Sequence, residues 1–233
     1  MIDRVDLLAP PPRQTLRDRF FEDLTRLTLG LVQVRGGGQY VGPLELIHLG
    51  EPHWEPEPRG GGRWVHPVDG GLLVRRPGGT ISIGWEFGEL IVEVEDFEPA
   101  LPPLIYDFTQ RPFHRFIARL SLLGMRGRMP PPGNPSDPLT RLAGGAIDVA
   151  ICAVLARLFR RRVLEVLVPY HLAGWIAVGR TPGGFITRQR VIAVDGTRLT
   201  PGQAALRLAL LPLALLRRRA VHDEFAQTEV VRT

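Results

Sequence analysis

The chain has 233 residues, 44% of them hydrophobic, which is enough for one large domain or two small ones. Its net charge of +5 comes wholly from arginine, because the sequence contains no lysine. A lone cysteine, Cys152, excludes an intramolecular disulfide and a thiolate metal cluster, and its apolar setting reads as a small buried residue.

The arginines are not spread evenly. Arg160–Arg162 and Arg217–Arg219 each follow an apolar run directly, which favours membrane flanks and anionic lipid over nucleic acid. The first thirty residues contain acids and three consecutive prolines and no basic-then-apolar signal peptide, so later spans are expected to direct any membrane entry.

In chain order, the Pro10–Pro12 break precedes a helix expected from Leu16 to about Leu29, capped by Thr15. Leu16, Phe20, Leu24 and Leu27 form its apolar stripe. From Pro43 to Phe97 the pattern changes to short strands divided by glycine and proline. Thr80–Phe87 and Glu89–Phe97 alternate with period two and meet at Gly88, which predicts a hairpin within an antiparallel meander of four or five strands. Beyond the Pro99–Pro103 corner a second helix is expected over Leu104–Leu123, with Pro112 kinking it or splitting it in two.

Helix, meander, helix is an α+β arrangement. In the order of its elements it resembles the helix-grip, START-like family of small lipid and ligand binders. His48, His53, His66 and His114 lack metal-ligand spacing and read as structural or surface histidines. Trp54, Trp64 and Trp85 read as aromatic packing, with a cavity lined by Trp64 and Trp85 as the alternative.

The proline-rich stretch MPPPGNPSDPLT, residues 129–140, is the clearest boundary. It separates a soluble α+β domain, residues 1–128, from a second domain, residues 141–233. Leu142–Phe159 and Val163–Gly179 are apolar runs separated by Arg160–Arg162. As helices each would be about 25–27 Å long, slightly short of a hydrocarbon core. With almost no polar stripe, they read as a membrane hairpin rather than a soluble one.

Asp148 sits in the middle of the first run, and on a helix it shares a side with Arg141, Gly144, Cys152 and Leu155. A carboxylate in an apolar span is costly and needs a partner, a cation or a proton, and Tyr170 and His171 on the second run are the candidate partners. A pH-dependent contact between Asp148 and His171 is one such expectation. Next, Thr181–Gly184 reads as a turn, and FITRQRVIAV leads into Asp195-Gly196 as a short β-hairpin. Thr200, Pro201 and Gln203 have the pattern of a capping box that opens a helix to Leu216. Pro212 and the short apolar length favour an interfacial or re-entrant helix.

From Arg141 onward the chain resembles the RDD family of membrane proteins, named for one arginine and two aspartates. The matching pieces are RLAGGAID, the loop TPGGFITRQRVIAVDGTRLTPGQAALR, and the tail RRRAVHDEFAQTEVV. The resemblance implies that Arg141 and Asp148 are the arginine and first aspartate, and that Asp223, beside His222, is the second. It also implies a multi-pass membrane protein, transport-related or regulatory, with an intramembrane aspartate. Members usually carry a longer third hydrophobic segment than Leu206–Leu216. A membrane-anchored small-molecule or lipid-binding module is the alternative.

No nucleophile elbow, phosphate loop, zinc spacing or paired catalytic carboxylates occur, so no enzyme activity and no cofactor are expected. The expected partners are a lipid bilayer, with anionic lipid at Arg160, Arg161, Arg162, Arg217, Arg218 and Arg219; a second copy of the chain is allowed, and nucleic acid is not expected. The arginines flanking the hairpin favour a cell-membrane location with a cytoplasmic N-terminal domain.

Overall fold

Alternating apolar residues in the first half build one antiparallel sheet. In the computed structural model, which describes residues 1–8, 11–58, 60–126, 133–217 and 220–233 (backbone only over 214–217), the chain forms two compact units, Met1–Arg128 and Met129–Thr233. The chain is α+β. Residues 129–132 of the proline-rich stretch, Arg218, Arg219 and the side chain of Arg217 lie outside the described residues.

The first unit runs β1 (Ile2–Asp6), α1 (Arg13–Leu27), β2 (Gln33–Arg35), β3 (Gly38–Val41), β4 (Leu44–Leu49), β5 (His53–Pro56), β6 (Gly61–Gly70), β7 (Val74–Arg76), β8 (Thr80–Glu86), β9 (Glu89–Glu95), β10 (Glu98–Pro99), α2 (Pro103–Phe108) and α3 (Gln110–Met125). The main sheet has the order β1-β9-β8-β6-β4-β3-β2, with β5 paired to β6; β7 and β10 form a separate pair.

The expected β8–β9 hairpin forms. Its turn residues Phe87 and Gly88 both have positive φ, 50° and 81°, as a turn matched to strand twist requires. Strand β1 is an addition to the sequence reading: its single buried residue, Val5, pairs with Leu90, and five residues with three charges give no local signal. Helix α1 begins at Arg13 after Pro12 rather than at a Thr15 cap, since Pro12 lacks the N–H that a continuing helix would need. The second helix is two, broken at Thr109: Pro112 cannot donate to the Phe108 carbonyl, and in the first turn of α3 its missing N–H is harmless.

The register Trp64–Ile83–Val92 defines one sheet face, and α1 and α3 pack on it through Leu16, Phe20, Leu24, Ile117 and Leu120. Asp23 on α1 is buried and accepts a 3.0 Å bond from the Ser121 hydroxyl on α3; burial raises its carboxyl above the usual range. The opposite face is charged, with Arg63 donating to Glu57 at 3.0 Å and to Glu93 at 3.1 Å. The Trp54 ring lies 5.5 Å from Trp64 and 5.4 Å from Trp85, and Arg13 and Arg17 lie over the rings of Trp54 and Trp64.

His66 is buried in this core with Nε2 unpartnered, and burial first, then Arg17 and His53, lowers its pKa to about 4. Above pH 6.5 it is neutral in both folded and unfolded chains and changes nothing. As pH falls from 6.5 towards 4 the unfolded chain takes up a proton that the native imidazole refuses, so stability falls by on the order of 3 kcal/mol. Thermal midpoints measured across that window are expected to decline more steeply for the native sequence than for His66→Leu. Parallel curves would refute the assignment.

The second unit contains α4 (Pro138–Leu158), α5 (Val163–Val178), α6 (Pro182–Ile186), β11 (Gln189–Ala193), α7 (Pro201–Arg217), α8 (Val221–Ala226) and β12 (Thr228–Arg232). Asp137 caps α4, accepting from the Thr140 N–H at 2.8 Å and its hydroxyl at 2.7 Å, and these bonds hold its carboxyl down at about 2. Helix α4 therefore starts three residues before Arg141. Helix α5 carries Pro169 and ends at Gly179, whose φ of 74° closes it.

Two local expectations change here and a third is met. Thr181–Gly184 is not a plain turn but the cap and opening of α6, where Thr181 Oγ1 accepts from the Gly184 N–H at 3.3 Å. The Asp195-Gly196 turn forms but returns no strand; β11 pairs with β12 at the C-terminus instead. Only Thr197–Thr200 separates that turn from Pro201, which leaves no room for a returning strand. Finally α7 runs through Pro212 to Arg217, opened by the expected capping box: the Thr200 N–H donates to Gln203 Oε1 at 3.1 Å and the Gln203 N–H to Thr200 Oγ1 at 3.3 Å.

Candidate functional site

Gly144, Asp148, Cys152 and Ala156 are the buried residues of α4, one every fourth position, with Arg141 and Leu155 half-buried beside them. Asp148 is 4% exposed and fully engaged. Oδ1 accepts from the Tyr170 hydroxyl at 2.6 Å and from the Gly183 N–H at 2.8 Å, and Oδ2 accepts from the Thr181 hydroxyl at 2.6 Å. The carboxylate thus ties together α4, α5 and the first turn of α6, where backbone N–H groups favour negative charge. His171 Nε2 stands 4.0 Å from Oδ2, while its Nδ1 donates to the Leu167 carbonyl at 3.0 Å.

The approach of α6 to α4 depends on glycine. A Cβ at Gly183 would lie 2.2 Å from the Gly144 carbonyl oxygen and 2.7 Å from Asp148 Oδ1. Gly183→Ala is expected to destabilise the unit by about 1–3 kcal/mol or more, and Gly145→Ala, where a Cβ meets nothing within 4 Å, to be neutral or stabilising. Unfolding midpoints of the two variants check this contrast.

Asp223, in α8, is the centre of a second buried cluster. Arg141 Nη1 donates to Asp223 Oδ2 at 3.1 Å, the Thr228 hydroxyl donates to Oδ1 at 2.9 Å, and Arg207 pairs with the same carboxylate. Arg207 also donates to Thr228 Oγ1 at 2.8 Å and lies over the Trp175 ring at 5.1 Å. Arg141 further donates to the carbonyls of Ser136 and Val230, so the start of α4 is fixed to the C-terminal strand. His222 Nε2 is 3.5 Å from Asp223 Oδ2. Burial first, then Arg207 and Arg141, lowers its pKa to about 3, so at neutral pH it is an uncharged neighbour and not an ion-pair partner.

The structure therefore brings Arg141 together with Asp223 and His222, and Asp148 together with Tyr170 and His171. The two groups lie two helical turns apart on α4, roughly 10 Å along its axis. A run of edge-to-face ring contacts spans the gap: Tyr170 to His171 at 5.2 Å, His171 to Trp175 at 5.1 Å, then Arg207 over Trp175. Sequence reasoning missed Arg207, Thr181, Gly183 and Thr228. Arg207 had one visible sign, a single cation in the otherwise apolar run ALRLALL. Arg160–Arg162 are exposed at the α4–α5 turn. Among the described residues no group of three or more His, Cys, Asp or Glu is placed to hold a metal ion.

The first unit holds a separate site. An open cavity of about 580 Å³, its mouth included, lies between the sheet, α1 and α3. Phe20, Ile47, Val92, Phe97, Phe113 and Ile117 dominate its wall, with Gln39 and His114 as polar members. Trp64 and Trp85 do not line it. Burial lowers the pKa of His114, favouring its neutral form.

These features define a class of arrangement: a mainly helical unit that exposes apolar residues and buries two polar clusters alongside an apolar core, and an α+β unit with an apolar cavity. No family model, curated protein or solved structure matches the chain.

Proposed function

We propose that the chain is an integral membrane protein of RDD type, transport-related or regulatory, with Asp148 as its intramembrane polar site. The observation that carries this reading is the apolar surface of the helices of the second unit, which also buries two polar clusters alongside its apolar core. Asp148, His171, Arg207, Asp223, Gln203 and Thr228 are buried, while Leu142, Val149, Val154, Leu158, Leu164, Val178 and Phe185 are exposed. Water-facing helices are arranged the other way. One helix among the described residues, α4, is long and apolar enough to cross a membrane; its 21 residues span about 31 Å, and only 22% of its most apolar stretch is buried. Helix α5, at 16 residues, is apolar but shorter.

Fractionation tests the reading. The full chain is expected to sediment with membranes and to resist extraction by high salt and alkaline carbonate. Recovery in the soluble fraction without detergent would overturn it. A transport role further predicts that Asp148→Asn abolishes a cation- or proton-linked phenotype.

The cavity of the first unit favours a second reading, a membrane-anchored module that binds an apolar small molecule or lipid. Strand–helix–sheet–helix order, with β1 beside β9 and an apolar cavity under α3, supports the helix-grip likeness. Here Asp148 would be dispensable for binding, and ligand would copurify with the full chain.

A further inference from the structure

The cavity of the first unit is walled by side chains without charge: its lining residues include no aspartate, glutamate or arginine. The one charge on a lining residue is the terminal ammonium of Met1, which donates to the Val94 carbonyl at 2.6 Å while the Val94 N–H donates to the Met1 carbonyl at 2.8 Å. These bonds extend the β1–β9 ladder, so the ammonium lies in the plane of the sheet and not on the face that lines the cavity. At about 580 Å³, mouth included, the space falls within the range of small-molecule sites.

Two lining side chains are polar, and the fold uses neither for a hydrogen bond. The Gln39 amide, on β3 opposite Ile47, and the His114 imidazole, on α3, have no hydrogen-bond partner among the described residues. His114 packs beside the rings of Tyr106 and Phe113, each 6.3 Å away, and burial lowers its pKa, so it stands neutral. A neutral imidazole donates at one nitrogen and accepts at the other, and an amide does both, so the pair can meet a hydroxyl, a carbonyl or an ester. A carboxylate would lose its water here and find no cation in exchange, which is costly in an apolar wall. The ligand that fits has an apolar body and an uncharged polar head.

We propose that the cavity selects a long-chain alcohol or ester, an uncharged oxygen head on an apolar chain, over the corresponding fatty acid, with Gln39 and His114 reading the head; this rests on the second reading above. The test uses the full chain in phosphatidylcholine nanodiscs at mildly alkaline pH, photolabelled with a diazirine-bearing decanol and mapped by peptide mass spectrometry. Adducts are expected on the Phe113–Ala118 segment of α3 and on Gln39–Ile47. Unlabelled decanol and methyl decanoate are expected to compete, and ionised decanoate to do so at least about tenfold less well. Decanoate that competes as well as decanol overturns the proposal and leaves the cavity reading standing. Absence of adducts from both segments overturns the cavity reading and the proposal with it. Gln39→Leu and His114→Leu are each expected to weaken competition by decanol about two- to tenfold, the worth of one hydrogen bond, while competition by decane holds. Gln39→Lys, which adds the missing cation, is expected to admit decanoate, a gain that a misfolded chain cannot give. If both leucine variants keep the native order of competitors, or a folded lysine variant still rejects decanoate, these side chains do not read the head and the proposal falls.

Discussion

Replacing Arg207 with methionine is expected to lower the stability of the second unit by about 3–5 kcal/mol, the range found when one partner of a buried ion pair is removed. Arg207 is 4% exposed, and Asp223 cannot turn to water once the guanidinium is gone. Arg141 still reaches Asp223 at 3.1 Å, which favours the lower end of the range. Against that, Thr228 loses the donor to its Oγ1 and Trp175 loses the cation over its ring. Methionine fills a similar volume, so the loss reports charge and hydrogen bonding more than a cavity. Arg207→Lys keeps the charge but not the planar fork, and should fall between the two. The measurement is denaturant unfolding of the detergent-solubilised chain. Arg161→Ala, which breaks only an exposed 3.9 Å contact to Glu165, is the control, expected to change stability by less than about 0.5 kcal/mol. If Arg207→Met matched that control, Asp223 would not depend on its second arginine and the cluster would need another account.

How much of this was legible in the sequence divides along the range of the interaction. The β8–β9 hairpin shows itself because alternation and Gly88 lie within sixteen residues. The capping box of α7 is equally local. The anomaly of Asp148 is visible for the same reason, since one acid in an apolar run stands out, and its partners Tyr170 and His171 stand out as the polar residues in the middle of the next run, apart from Glu165 in its first turn. Thr181 and Gly183 escape because Thr-Pro-Gly-Gly is as good a turn as it is a helix opening, and only the presence of Asp148 decides between them.

The pairing of β11 with β12 escapes for a different reason. Gln189 meets Arg232 and Ala193 meets Thr228, with α7 and α8 intervening, whereas Asp195-Gly196 offers a local turn. Short-range turn chemistry says that the chain bends there and nothing about which strand it will meet. The exposed face of α2 was hidden too: within a longer expected helix, Leu104, Ile105 and Phe108 look like core positions, and only the break at Thr109 turns them out.

The two readings of Asp148, a structural tie and a functional charge, separate in one pair of variants. Asp148→Ala removes the acceptor for three donors at once and is expected to cost about 3–5 kcal/mol, because the Tyr170 and Thr181 hydroxyls and the Gly183 N–H would be left facing an apolar gap. Asp148→Asn is expected to cost only about 1–2 kcal/mol. Its carbonyl oxygen can keep the bonds from Tyr170 and Gly183, and its amide can donate to Thr181 Oγ1 once that hydroxyl rotates. The shape of the tie survives and the negative charge does not. Unfolding of both variants in detergent gives the ordering, and Asp148→Ala no worse than Asp148→Asn would mean that the donors find other partners and the carboxylate is not the tie. Once the Asp148→Asn protein is folded and membrane-inserted, any loss of cation-linked activity belongs to the missing charge. Full activity in the same protein would leave Asp148 as the bond that joins α4 to α5 and α6, and would direct the search for function to the cavity of the first unit.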